Sequence, residues 1–142
     1  MKFKFVLLGI MATVGHAYAQ DVCEPSSVDE ILVESPEKGL SLDERTKVSK
    51  YGRMLAVHPE WRVEINVTTD SDLTETYNLH LAEKWGRQAE NAMLVEGANA
   101  SQIRVVPKGK SYYHVDKAVP SDALYITLMG ELGEVIEIPC AQ

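Results

Sequence analysis

"WRVEINVTTDSDLTETYNLHLAEKWGRQAENAMLVEG", residues 61–97, changes its hydrophobic period once, and that change sets the architecture. Up to Val67 the apolar groups alternate, with Trp61, Val63, Ile65 and Val67 on one side and Arg62, Glu64 and Asn66 on the other. A period of two is that of a strand buried on one face. After an acid-rich polar turn at residues 68–73, Leu81, Trp85, Ala89 and Ala92/Met93 recur at helical spacing. This predicts one long helix from about residue 74 to 96, with Gly97 as the left-handed residue that commonly ends a helix.

Working outward, residues 28–34, "VDEILVE", read as a short strand, followed by "SPEKG" as a loop of Pro36 and Gly39 breakers. Ser41 with Glu44 three positions on is a capping-box pattern, and Val48, Tyr51, Met54 and Leu55 keep helical spacing until Pro59. On the other side, "QIRVV" reads as a third strand and residues 107–120, rich in Lys, Gly and Tyr, as a long loop. "ALYITLM" and "EVIEI", separated by "GELG", predict an antiparallel hairpin. The order is β-α-β-α-β-loop-β-β. Helices against one face of a mixed sheet make an α/β (α+β) two-layer sandwich with an added C-terminal hairpin strand.

The two ends bear on compartment. "MKFKFVLLGIMATVGHAYA", residues 1–19, has Lys2 and Lys4, a short apolar run and an A-x-A pattern, which is the form of a secretory signal peptide. The apolar run is shorter than the roughly 20 residues of a membrane span, so the expectation is a soluble, exported chain of residues 20–142 forming one domain. Removing the two lysines takes the formal charge from −7 to −9, which argues against nucleic acid or an anionic membrane as partner. Cys23 and Cys140 stand near the two ends of that domain, and in an oxidising compartment they are expected to form a disulfide that closes it.

Little in the chain suggests catalysis. His58, His80 and His114 are scattered without metal-ligand spacing, and there is no nucleophile-base arrangement or phosphate-binding glycine loop. No cofactor or metal is expected. Asp70 reads either as a ligand contact or as a residue that caps the next helix and orders the turn. Trp85 reads either as a surface that stacks on sugar or peptide or, from the register it shares with Leu81 and Ala89, as a core residue, and the register favours the core. Asp72 and Glu75 suit the positive end of the helix dipole.

Taken together, a strand ending in "TTD", "YN" seven residues after the Asp, Leu81, a long helix, and "EGANASQIRV" leading to a strand and Gly109 resemble the OmpA-like domain of Gram-negative envelope proteins. The similarity runs over residues 28–129. It implies noncovalent binding of peptidoglycan through diaminopimelate in the stem peptide, in a periplasmic, non-catalytic protein. In that family the Asp of the "TD" turn engages the ligand's ammonium, and an Arg in "L-S-x-x-R-A" takes a carboxylate. Asp70 matches the first, with Thr69 and Asn78 as accompanying ligand residues. "LAEKWG" departs from the second, having Ala82, Trp85 and Gly86 where Ser, Arg and Ala are usual. "SDAL" likewise has no arginine where the family has "N-R-R" before the last shared strand. Lys84 and Arg104 are the candidate replacement cations, since Arg87, two helical steps from Trp85, points to the opposite side. Two functions follow: a peptidoglycan-associated tether or scaffold, or a protein-interaction component of a trans-envelope machine such as a secretion system or pilus. The basic and aromatic 107–120 loop would be its partner-binding surface.

Overall fold

The computed structural model describes residues 27–110 and 122–138. Strand β1 (Asp29–Leu32) leads through a 3-10 turn (Pro36–Lys38) into α1 (Leu42–Val57), then β2 (Arg62–Thr68), α2 (Glu75–Val95), a second 3-10 turn (Ala100–Gln102), β3 (Ile103–Gly109) and β4 (Ala123–Met129). The sheet order is β1-β4-β2-β3, with β2 parallel to β3 and antiparallel to β4. The parallel pair requires a crossover, and α2 supplies it.

Each element forms for a local reason. In α1, Ser41 Oγ accepts from the Glu44 N–H while the Glu44 carboxylate accepts from the Ser41 N–H, the reciprocal capping box read in the sequence. The far end of α1 is closed from a distance by buried Gln102, whose side-chain amide donates to the carbonyls of Leu55, His58 and Trp61. In β2, Val63, Ile65 and Val67 are fully buried and meet Leu124, Ile126 and Leu128 of β4 on the helix side. Val48, Tyr51 and Leu55 of α1 and Leu81, Trp85, Ala89 and Met93 of α2 complete that core. The opposite face carries Glu64 and Arg104, paired across the strands at 3.4 Å. Gly97 holds φ +103° after α2, as its C-terminal position requires.

Two expectations change. Pro107 and Gly109 belong to β3 rather than to a loop, and residues 111–121 lie outside the described residues. The C-terminal hairpin is present as a turn but adds no fifth strand to the described sheet. Gly130 N–H donates to the Glu134 carbonyl, Met129 bridges Val135, and Ile136 N–H donates to the Leu128 carbonyl. The reason is room. With β2 along one edge of β4, the other edge is already taken by β1 from Ala123 to Ile126, leaving only the last residues for the tail. The first 19 residues, Cys23 and Cys140 lie outside the described residues.

Candidate functional site

Between the end of β2 and the start of α2 the chain makes the acid-rich turn, and beside it opens a cleft of about 680 Å³. Asp70, Asp72, Asp122, Glu37 and Lys38 line it, and Leu73, Tyr77, Leu81 and Pro36 give it apolar lining.

Asn78 builds the turn. Its side chain is fully buried one turn into α2, with Oδ1 accepting from the Ser71 N–H at 3.0 Å. Its Nδ2 faces the carbonyls of Ser71, Leu73 and Thr74 at 3.0–3.3 Å. Thr69, also fully buried, donates its hydroxyl to the Asn78 carbonyl and its N–H to the Gly109 carbonyl. Both were expected beside Asp70 as ligand contacts. The structure moves them beneath the surface, where their polar atoms are occupied in tying the turn to α2 and β3.

Asp70 is the exposed member of the three. The capping alternative does not describe it, because the N-cap of α2 is Thr74, whose Oγ1 accepts from the Tyr77 N–H. What is held at Asp70 is its backbone: the N–H donates to Asp122 Oδ1 at 2.8 Å. Among the described residues its carboxylate takes no hydrogen bond or ion pair, so it faces the cleft with both oxygens available. Asp122 precedes β4 and was not anticipated as part of the site. An Asp just before a strand gives no periodic signal, and its partner is 52 residues away.

Trp85 is fully buried, as its register predicts, and its indole N–H donates to the Pro36 carbonyl at 3.2 Å. Neither Lys84 nor Arg104 replaces an arginine at the cleft. Lys84 lies on α2 with His80, Glu83 and Arg87, and Arg104 sits on the outer face of the sheet against Glu64. The basic residue lining the cleft is Lys38, from the segment read only as a loop. Lys110 is nearby but outside the cleft lining, and its ammonium donates to the Ser71 carbonyl at 3.2 Å. The described residues contain no group of three or more His, Cys, Asp or Glu placed to hold a metal ion.

No protein-family model and no curated protein matches this chain by sequence. Solved structures match its fold. The peptidoglycan-associated lipoprotein of Burkholderia pseudomallei aligns with a TM-score of 0.58 at 17% identity, over 73% of this chain and 91% of that one. The periplasmic domain of Helicobacter pylori MotB (residues 78–256) aligns at 0.56 and 13% identity, over 77% and 79%. The OmpA-like domain of FopA1 from Francisella tularensis aligns at 0.53 and 11% identity, over 79% and 75%. The fold is thus that of OmpA-like domains, reached by a sequence far removed from theirs.

Proposed function

We propose that this chain, with its OmpA-like fold, is a non-catalytic, peptidoglycan-associated tether or scaffold, exported to the periplasm after loss of residues 1–19. The observation that carries this reading is Asp70: an exposed carboxylate without a described partner, lining a cleft, on a turn held by Thr69, Asn78 and Asp122. A carboxylate fixed in this way is suited to receive an ammonium, which for diaminopimelate of the stem peptide is the group presented. Such a charge-assisted contact contributes about 1.5 to 3 kcal/mol. Thr69 and Asn78 act as positioning residues for the turn. In the same reading Cys23 and Cys140 are joined as a disulfide.

Co-sedimentation with purified peptidoglycan tests the assignment. The wild-type protein pellets, and Asp70→Ala binds at least about tenfold more weakly. Because the Asp70 side chain is exposed and only its N–H is held, Asp70→Ala keeps the wild-type melting temperature. A wild-type protein that stays in the supernatant would instead favour an interaction component of an envelope machine that has lost the ligand.

A further inference from the structure

The segment between β1 and α1 is held far more firmly than a connection requires. Glu44, 2% exposed, accepts from the Glu34 N–H at 2.8 Å with one carboxylate oxygen and from the Ser41 N–H at 2.8 Å with the other, bracketing the segment at both ends. From α2, Trp85 donates to the Pro36 carbonyl, and one turn later Gln88 Oε1 accepts from the Leu40 N–H at 2.9 Å. Within the segment, Lys38 N–H returns to the Ser35 carbonyl and Gly39 N–H to the Pro36 carbonyl. Three side chains from two helices therefore fix one short turn, a geometry that local propensity alone would not hold.

That turn brings Lys38 into the lining of the cleft that Asp70 also lines. Among the described residues the Lys38 ammonium has no hydrogen bond or ion pair, and Asp70 likewise has an uncommitted carboxylate. Lys38 is thus the one basic side chain among the described lining residues, in a cleft it shares with the carboxylates of Glu37, Asp70, Asp72 and Asp122 and with the apolar Pro36, Leu73, Tyr77 and Leu81. This arrangement suits a zwitterionic amino-acid end, whose ammonium and carboxylate need opposite partners at fixed separation. Lys110 lies outside the lining, its ammonium donating to the Ser71 carbonyl.

We propose that Lys38 is the carboxylate-binding cation of the cleft, delivered by the 3-10 turn that Trp85, Gln88 and Glu44 hold in place. The inference rests on the peptidoglycan reading of the same cleft and adds its missing positive half. On this view Trp85 replaces the function of a helix-borne arginine indirectly: it anchors the turn that carries the lysine.

Titration calorimetry of the purified protein with meso-diaminopimelate and with cadaverine, which keeps both amines and lacks both carboxylates, tests it. Wild type prefers diaminopimelate. Lys38→Gln lowers affinity for diaminopimelate about tenfold or more and leaves cadaverine unchanged, erasing the preference, while Lys38→Arg retains it. Asp70→Asn weakens both probes. Equal binding of diaminopimelate by wild type and Lys38→Gln would overturn the role of Lys38 and leave the peptidoglycan reading standing. Absence of diaminopimelate binding by wild type, together with failure to pellet with peptidoglycan, would overturn both. Lys38 is exposed, so an unchanged melting temperature is expected and separates lost binding from lost fold.

Discussion

An arginine at position 85 would place its guanidinium where the Trp85 indole is fully buried beneath Pro36 and among the core of α2. Trp85→Arg is therefore not a restoration of the family pattern. It forces a charge into a fully buried position and removes aromatic volume, and is expected to cost about 3 to 5 kcal/mol in urea denaturation. A second buried residue sets a pH limit. Tyr51 donates its hydroxyl to Asp29, which Lys50 also pairs at 3.0 Å, and burial followed by the Asp29 contact pushes the phenol well above its usual range. A raised folded-state pKa means the native chain keeps a proton the unfolded chain gives up. Stability from this group is full below the ordinary tyrosine value of about 10 and declines as pH rises beyond it. Thermal melts from pH 8 to 11 should show that decline, and Tyr51→Phe, less stable at neutral pH by about 1 to 3 kcal/mol, should show a shallower one.

Among elements, α2 illustrates how a departure from pattern is absorbed by its neighbours. Gly86 follows the large Trp85, and a Cβ there would come within 2.3 Å of Val105 Cγ1 on β3. The helix and strand approach too closely for a methyl group. Gly86→Ala should therefore destabilise by about 1 to 3 kcal/mol despite alanine's better helix propensity, and Val105→Ala should recover part of the loss in the double variant. The sequence made β2, both long helices and the Ser41 cap legible, because period and capping chemistry are local signals. It left the Pro36–Lys38 turn as a mere breaker cluster. The contacts that define that turn reach 10 residues to Glu44, 48 to Gln88 and 49 to Trp85, and no window over "SPEKG" contains them. For the same reason Asp70 was found from its motif, whereas Asp122 and Lys38 required the folded chain.

At the scale of the whole molecule, alternation in "EVIEI" suggested a strand that the sheet has little room to pair, because β1 holds most of the remaining edge of β4. That sharing brings the two ends of the described chain together. Asp29, where β1 begins, pairs with Ile126, toward the end of β4 that Val135 and Ile136 flank. The proposed Cys23–Cys140 bond lies outside the described residues and has its own test. Thiol titration of the denatured protein is expected to find no free thiol until a reductant is added, and reduction to lower stability by up to about 4 to 5 kcal/mol. The sheet order has a further consequence for how such a chain matures. β4 is the last of the described strands to be made, yet it sits between β1 and β2 and pairs with both. Among the described strands β1 pairs only with β4, so a chain emerging N-terminus first from a ribosome or a translocation pore must wait for residues 123–129 before this sheet can close. Until then the β2-α2-β3 unit is the part able to assemble, and the unpaired backbone edge of β2 stands open to a chaperone or to another copy.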